Sequence, residues 1–407
     1  MNELDRIKQI KVLRATEADY EELVDVSNLI FSVQTNQAGN RTYNHRFFQD
    51  LLPKLYRDAS CSMPAHYLIR EHGDDGRILA AAGAFDNILH VGEHPLHIRG
   101  IGTVGVHPDY RGCGYMKAIM YRMLADCVHD GVDFSFLGGL RQRYEHFGFA
   151  TTGNCASFTI TAGNMDYIYG KQASFGYAFR PITPEQTALL DRIDALHRAQ
   201  RVHAERKREK LHDILINWGR RPLAIFRGDV FCGWCITEGD GSALYEITLA
   251  DPDALGEVLC DYIRSFSLDS VTLQHIGLYE TEKINYLAKH AENLTLTHHE
   301  QYQIFRYENM LRAFLTLKAA QQGLCDGTLT LEITNGDFAQ KLCIRVRDNC
   351  VTVTPHTGEA EYRMDALLAA QVFFGVGAAM TDFSLHLPPF ARQWFPLPLC
   401  HIDADGV

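Results

Sequence analysis

A chain of 407 residues is too long for one compact core, and at about 100–200 residues per domain it predicts two to four domains, with three expected. Hydrophobic residues at 46% and charged residues at 22% match globular usage and exclude a disordered or fibrous chain. A formal net charge of −11 argues against non-specific nucleic-acid binding. It favours cationic substrates or, as the simpler alternative, reflects a soluble surface.

The sequence also indicates the compartment of the protein. No apolar run approaches the ~18 residues of a membrane helix, and the N-terminus lacks the apolar segment of a secretory signal. The eleven cysteines are odd in number and scattered along the chain, so reduced thiols are expected rather than a disulfide framework. The sequence therefore predicts a soluble cytoplasmic protein with reduced thiols and no membrane partner.

The first ~160 residues alternate strand and helix patterns. In chain order they predict a strand at 10–15, helices at 16–31 and 44–55, strands at 66–71, 78–86 and 97–106, a helix from 114 to 131, a strand at 133–137 and a short aromatic segment at 144–149. Several neighbouring antiparallel strands are the simplest arrangement of this unit.

The same order of elements returns from about residue 177. It predicts strands at 179–182, 224–226, 230–237, 243–249 and 270–275, and helices at 184–200 and 253–266. This second copy repeats the pattern but lacks a glycine-rich turn, because residues 249–254 read Leu-Ala-Asp-Pro-Asp-Ala. We interpret it as a duplicated domain that lost its ligand loop.

The last ~100 residues predict a small α+β domain. A helix at 309–321 is followed by strands at 328–333, 341–346 and 350–354 and by an apolar helix at 364–374. Alternating strands need a helix on one face, and both helices qualify.

The strongest local signal is the segment 101–117, Ile-Gly-Thr-Val-Gly-Val-His-Pro-Asp-Tyr-Arg-Gly-Cys-Gly-Tyr-Met-Lys. A strand ending at Val106, with Arg111, Gly112 and Gly114 opening a helix, predicts an anion site, because unpaired backbone N–H groups and the helix dipole converge there. A plain tight turn is the alternative. The segment matches neither a Walker A loop nor a dinucleotide fingerprint, which argues against ATP and NAD.

This loop resembles the acetyl-CoA loop of GNAT acetyltransferases, Arg/Gln-x-x-Gly-x-Gly/Ala. It fits at Arg111 and Gly114 and departs at Met116, where the superfamily usually has glycine or alanine. Residues 138–149, Gly-Gly-Leu-Arg-Gln-Arg-Tyr-Glu-His-Phe-Gly-Phe, resemble the second GNAT signature. The phenol of Tyr144 can protonate a departing CoA thiolate, although an aromatic packed in the core remains the alternative.

Two GNAT-like units followed by a small α+β domain resemble the enhanced intracellular survival (Eis-like) family over the whole chain. Residues 304–314, Ile-Phe-Arg-Tyr-Glu-Asn-Met-Leu-Arg-Ala-Phe, and the motif Phe-Phe-Gly at 373–375 carry this resemblance. It implies tandem GNAT folds, with mixed, mainly antiparallel sheets flanked by helices, and a sterol-carrier-protein-like C-terminal α+β domain. The implied domains are 1–165 (catalytic), 166–300 (degenerate GNAT) and 301–407.

The resemblance also implies roles for residues. Tyr144 is the general acid, and the terminal carboxylate of Val407 reaches the active site as the base. The tail is longer and more polar than is usual in the family, so a frayed tail remains the alternative. In that case Asp403, Asp405 or His401 would serve as the base instead of Val407. The residues expected to bind acetyl-CoA are Val104, Gly105, Val106, Arg111, Gly112, Cys113, Gly114, Tyr115, Met116, Lys117, Gly139 and Leu140.

The predicted function is direct transfer of an acetyl group from acetyl-CoA to a primary amine, which the resemblance suggests is an aminoglycoside, a polyamine or a lysine side chain. No metal and no nucleic acid are expected. The resemblance implies a homo-oligomer, for which a hexamer is one candidate. The alternative is a non-catalytic acyl-CoA or lipid sensor, which would bind acetyl-CoA without releasing thiol.

Other motifs receive structural interpretations. The zinc-like pair His90 and His94 falls on a turn, and Cys232 with Cys235 lies in a hairpin strand. The pair His298 and His299 lacks partners at ligand spacing. The basic run 206–210 is interpreted as a solvated helical face or a subunit contact.

Overall fold

The computed structural model describes residues 6–7, 9–35, 41–59, 62–336 and 338–407. Within these ranges the chain forms sheets of eight, seven and four strands with helices packed on them, and a separate two-stranded sheet. The predicted fold class, mixed sheets flanked by helices plus a small α+β unit, is confirmed. None of the helices in the described ranges combines the length and apolarity that crossing a bilayer requires.

The strands are numbered in chain order. Strands β1 to β8 are Leu13–Arg14, Val33–Thr35, Arg41–Tyr43, His66–Arg70, Ile78–Val91, His94–Val106, Phe134–Leu137 and Ala150–Thr152. Strands β9 to β17 are Cys155–Thr161, Tyr177–Pro181, Val202–Ala204, Arg221–Arg227, Val230–Thr237, Ala243–Leu249, Ser270–Gly277, Asn293–Thr297 and Glu300–Ile304. Strands β18 to β21 are Gly327–Asn335, Phe338–Arg347, Cys350–Pro355 and Tyr362–Asp365.

The α-helices are Tyr20–Ser32, Phe48–Leu51, Pro53–Tyr56, Tyr115–His129, Arg141–Tyr144, Ala162–Tyr169, Thr187–Arg198, Leu211–Leu215, Leu255–Ser265, Thr281–His290, Tyr307–Gln322, Ala366–Phe374, Asp382–His386 and Pro389–Trp394. The helix predicted at 44–55 is instead two short helices, because Pro53 begins the second one. Most other predicted elements lie within a few residues of their predicted bounds.

The two large sheets repeat one topology. The first has the order β1-β4-β5-β6-β7-β17-β8, with β11 added to the end of β5, and the second has the order β10-β12-β13-β14-β15-β9-β16. In each sheet one neighbouring pair is parallel, β6 with β7 and β14 with β15, and the other pairs along the order are antiparallel. The repeat read from the pattern of elements is therefore present in the fold.

The two sheets exchange a strand, which the sequence did not predict. Strand β9 precedes residue 165 yet pairs with β15 and β16 of the second sheet, while β17 pairs with β7 and β8 of the first. The division of the chain at 165 and 300 stays a prediction, but the sheets do not divide there. Strand β17 was missed because its buried Gln301 and Gln303 give it a polar sequence.

The last sheet is an antiparallel meander of β18, β19 and β20, with β21 parallel to β18. Its buried residues Leu329 and Ile344 pack with Phe314 and Phe373, one from each flanking helix. This arrangement is the covering of one sheet face that alternating strands require.

The C-terminal segment is buried, so the frayed-tail alternative is wrong. Cys400, His401 and Ala404 are nearly inaccessible to solvent. The carbonyl oxygen of Ala404 accepts hydrogen bonds from Lys54 Nζ at 3.0 Å and Asn217 Nδ2 at 3.1 Å.

Arg206 fixes this tail with a buried ion-pair network. Its Nε donates to Asp405 Oδ1 at 2.8 Å, and its Nη1 donates to Glu246 Oε1 at 3.1 Å. Arg206 is only 2% exposed, so the interpretation of the basic run 206–210 as a solvated helical face is wrong for this residue. Burial opposes the ionised form of Asp405, but the guanidinium prevails and lowers the pKa of Asp405 below its usual value.

Replacing Arg206 by methionine removes the cation that two buried carboxylates share, and we expect it to reduce stability by about 3–5 kcal/mol. Arg208→Met is the matched control, because Arg208 forms an exposed ion pair with Asp191 and its loss should cost about 0–1 kcal/mol. Chemical denaturation measures both variants. Equal losses would contradict the role assigned to Arg206.

Candidate active site

A cleft opens where two parallel strands separate. Strands β6 and β7 pair at Ile98–Phe134, Arg99–Ser135 and Gly100–Phe136, after which β6 continues to Val106 while β7 ends at Leu137. Beyond Gly100, β6 pairs with β5 on its other side. The edge of β6 that faces the cleft, including Val104 to Val106, therefore presents backbone groups to a ligand.

Strand β6 is irregular at the cleft. Its register against β5 shifts between Gly102 and Gly105, and Thr103 has a φ of 53°. Positive φ is unusual for a β-branched residue, and bulges and strained backbone of this kind occur often beside functional sites. The hydroxyl of Thr103 forms a hydrogen bond with Tyr56.

The glycine-rich loop joins β6 to the helix Tyr115–His129. Gly112 and Gly114 both have a φ of 84°, which explains why glycine occurs at both positions. A Cβ on Gly112 would meet no atom within 4 Å, whereas one on Gly114 would lie 3.1 Å from Ile7. Arg111, Gly112 and Cys113 are exposed, so the loop is open to a ligand at the helix N-terminus.

The packing of the helix beyond the loop explains how the large side chain of Met116 is accommodated. This residue is half-buried and packs, with Tyr115, against the apolar cluster that includes Ala118 and Ile119. The departure from the usual glycine or alanine is thus accommodated by the core below the loop. Lys117 follows in the first turn of the same helix.

Tyr144 lies at the end of the helix Arg141–Tyr144 and is 5% exposed. A Cβ on Gly139, which has a φ of 123°, would lie 3.0 Å from Tyr144 Cε2, so the ring covers this glycine. Burial raises the pKa of Tyr144, and Arg143 only partly offsets it. The phenol therefore keeps its proton at neutral pH. Leu140, the next residue after Gly139, is exposed.

Val407 lies against β6 where the same cleft begins. A Cβ on Gly102 would be 3.0 Å from the terminal carbonyl carbon of Val407, and one on Gly100 would be 2.7 Å from its Cγ2. The fold thus brings Val104–Val106, the loop 111–117, Gly139, Tyr144 and Val407 to one pair of separating strands, although they span three hundred residues of sequence.

A cavity of about 630 Å³ adjoins Val407, between strands β5 to β7 of the first sheet, residues 204–214 and the C-terminal tail. Phe85 and Phe136 form apolar parts of its wall, and Asp86, Glu205, Glu209 and Asp405 contribute carboxylates. Lys54, Lys207 and Lys210 contribute amines. Burial lowers the pKa of Lys54 to about 8, against the attraction of Asp405.

A histidine cluster beside the cavity was missed. His275 Nδ1 lies 2.9 Å and His299 Nε2 3.1 Å from the Asp403 carboxylate, so His299 does have partners, contributed by distant parts of the chain. Burial opposes ionisation of Asp403, but the two histidines hold its pKa well below the usual value. The three groups lie within 4.8 Å of one another, a spacing that a metal ion can bridge. Arg220 Nη2 already lies 3.4 Å from Asp403, and hydrogen bonds account for the geometry.

The other two motifs lie where the sequence places them. His90 is the penultimate residue of β5 and His94 begins β6, on either side of a tight turn. Cys232 and Cys235 are free thiols in β13.

Comparison with known proteins identifies the class of the first unit. Residues 11–152 match the sequence model of an acetyltransferase (GNAT) domain. No curated protein sequence matches the chain. The predicted enzyme class, a GNAT-type acetyltransferase, is confirmed for this domain, and acetyl-CoA is the co-substrate of such domains.

Solved structures share the fold over nearly the whole chain. A GCN5-related N-acetyltransferase from Anabaena variabilis has 14% identity and a TM-score of 0.66, with 96% of this chain and 98% of that one covered. One from Kribbella flavida has 15% identity, a TM-score of 0.65 and 98% of both chains covered. Eis1 from Mycobacterium abscessus has 13% identity and a TM-score of 0.65, with 98% of this chain and 100% of that one covered.

Gly112 offers a direct test of the anion site. Gly112→Asp adds a carboxylate in open space at a backbone conformation that Asp and Asn tolerate, and we expect it to weaken acetyl-CoA binding by about tenfold or more. Gly112→Asn is the neutral control of the same shape and should weaken binding much less. Calorimetric titration with acetyl-CoA measures the difference, and equal affinities for the two variants would remove the loop from the binding site.

Proposed function

We propose that the protein transfers the acetyl group of acetyl-CoA directly to a primary amine bound in the cavity beside Val407. The observation that carries this proposal is the position of Val407, whose terminal carbon lies against Gly102 in the cleft and which also lines the cavity. An acceptor in that cavity and a thioester in the cleft would therefore meet at the terminal carboxylate of this 407-residue chain.

Acetyl-CoA fits the cleft by its chemistry. Its pyrophosphate would bind the open loop at 111–117, and its pantetheine amides would pair with the free edge of β6 at Val104, Gly105 and Val106. Gly139 and Leu140 would border the thioester end. Cys113 belongs to the exposed loop, which supports a direct transfer without an acyl-enzyme.

In this reaction the nitrogen must lose two protons and the sulfur must gain one. The carboxylate of Val407 takes a proton from the ammonium group of the acceptor, and the free amine attacks the thioester carbon. As the carbon–nitrogen bond forms and the carbon–sulfur bond breaks, the departing thiolate takes the phenolic proton of Tyr144, and the nitrogen releases its second proton to water. The Tyr144 phenolate then regains a proton from water. The raised pKa of Tyr144 supports this role, because it keeps the acid protonated until it is used.

The acceptor we propose is a small cation with a primary amine, such as a polyamine, an aminoglycoside or a lysine side chain. The carboxylates of the cavity wall outnumber its amines by four to three, and this excess together with the chain's net charge of −11 supports a cationic acceptor. Similarity to Eis1 along the whole chain supports an Eis-like enzyme as the finer assignment. A thiol-release assay with acetyl-CoA and an amine panel tests the function, and binding without release would favour the acyl-CoA sensor.

Tyr144→Phe should lower kcat by ~10²–10⁴-fold with little change in acetyl-CoA affinity, because it removes the proton donor and keeps the ring. Tyr121→Phe is the control, since Tyr121 is a partly exposed tyrosine that packs on Phe147 of the same domain. Steady-state kinetics and calorimetry measure both. A Tyr144→Phe enzyme within a few-fold of the wild type would make Tyr144 structural.

Converting the carboxylate of Val407 to an amide by protein ligation should leave acetyl-CoA binding intact and abolish most turnover, because the charge is lost at constant length. Raising the pH should restore part of the activity by supplying free amine. The control is the free acid made by the same ligation. Equal turnover of the two ligated products would exclude the terminal carboxylate as the base.

A further inference from the structure

Strand β16, Asn293–Thr297, forms one edge of the second sheet and is open to solvent. It pairs with β9 on one side, and no described residue pairs with its other edge. Four of its five residues are exposed and the fifth is partly buried. The backbone N–H and C=O groups of the free edge are therefore available to another strand.

The strand also carries an apolar stripe. Leu294 and Leu296 are 53% and 51% exposed, and they pair with Phe158 and Ala156 of β9. Directly paired residues project to the same face of a sheet. Phe158 and Ala156 belong to the buried core on that face. The two leucines thus continue the core face of the second sheet past its last buried strand.

Two other sheet edges carry residues that oppose the addition of a strand. Strand β10, at the opposite edge of the same sheet, ends in Arg180 and Pro181, and β20 of the third sheet ends in Pro355. Proline and charge are common protections of an edge strand. Strand β16 reads Asn-Leu-Thr-Leu-Thr and has neither. An exposed edge without these protections indicates that a partner strand covers it.

The sequence around β16 is complementary to itself in the antiparallel direction. When Thr295 faces the same residue of a second copy, Leu294 of each copy faces Leu296 of the other. This register also places Glu292 of each copy opposite His298 of the other. A shift by two residues would instead set a leucine against Glu292 or His298. The register centred on Thr295 therefore pairs all the leucines and opposes no like charges.

The adjoining helix adds to this surface. Asn164, in the helix Ala162–Tyr169, donates from Nδ2 to Glu292 Oε2 at 3.3 Å, which places the helix beside the start of β16. Tyr167, three residues further along the same helix, is 92% exposed. Exposed aromatic rings are enriched where proteins associate.

We propose that β16 is an interface with a second copy of this chain, in which two β16 strands pair antiparallel about a two-fold axis at Thr295. Such a contact uses one surface that complements itself, and it joins the second sheets of the two copies into one. It involves none of the residues of the candidate active site, so it does not depend on the proposed function. A dimer, or a larger assembly that contains this two-fold contact, forms in solution.

Thr295→Cys tests the register. Opposed residues of antiparallel strands have Cα atoms about 4.5–5.5 Å apart, which a disulfide bond can span. Oxidised glutathione should therefore convert the variant to a dimer on a denaturing, non-reducing gel, with position 295 linked to position 295 in peptide maps. Wild-type protein, which has exposed thiols at Cys113, Cys325 and Cys350, gives the background.

Two further variants sharpen this test. Asn293→Cys and Thr297→Cys should link to each other when the two proteins are mixed, because positions 293 and 297 face each other across the axis. Neither variant should link to itself. Absence of the link at position 295, or links in any other register, would overturn the proposal.

Thr295→Lys tests the assembly without oxidation. It sets two ammonium groups against each other at the axis and should weaken association by about tenfold or more. Thr352→Lys is the matched control, because Thr352 is an exposed threonine of the edge strand β20, and it should associate as the wild type does. Circular dichroism verifies that both variants fold.

Analytical ultracentrifugation from about 0.1 to 100 μM measures the association of all three proteins. A wild type that stays monomeric throughout this range would overturn the proposal and would leave the β16 edge to a different protein. An assembly that Thr295→Lys does not weaken would also overturn it, because the copies would then meet elsewhere.

Discussion

The ion-pair network of Arg206 with Glu246 and Asp405 is the interaction on which the candidate site depends. It joins β14 of the second sheet to the last residues of the chain, two positions before Val407. Buried charges of this kind hold one arrangement strongly, because any displacement leaves an ion without a partner. The network therefore fixes the tail, and with it the position of Val407 against Gly102 in the cleft.

The exchanged strands have a related consequence. Strand β17 comes from beyond the second sheet, lies between β7 and β8, and carries Tyr302, with His299 immediately before it. Its Gln301 donates to the carbonyl oxygen of Gly139, beside Tyr144. The second unit, which lacks a glycine loop, thus contributes to the first unit's cleft through a strand and to the cavity through the tail that it holds.

Much of the fold could be predicted because local patterns dictate it. The helix Tyr115–His129 and strands β13, β14 and β20 have periodic sequences bounded by glycine or turn residues, and their predicted bounds are close to those observed. Strand β17 could not be predicted in this way. The side-chain amide of its buried Gln301 donates a hydrogen bond to the carbonyl oxygen of Gly139 in another segment, a contact that a local pattern does not reveal.

The sequence by itself determined the conformation of the glycine-rich loop and the class of domain to which the loop belongs. Gly112 and Gly114 adopt the positive φ that only glycine adopts freely, and the spacing from Arg111 to Tyr144 marks the acetyltransferase domain that the family comparison identifies. Such local signals persist because they follow from backbone geometry within one segment.

Only the tertiary structure decided what surrounds the acceptor cavity. Arg206 had the pattern of a surface cation, His299 had that of an isolated histidine, and the tail had that of a frayed end. Each takes its environment from residues more than a hundred positions away, Asp405, Asp403 and the strands that bury the tail. A side chain's hydrogen-bond partners and its burial depend on which segments meet in space, and no local spacing encodes that meeting.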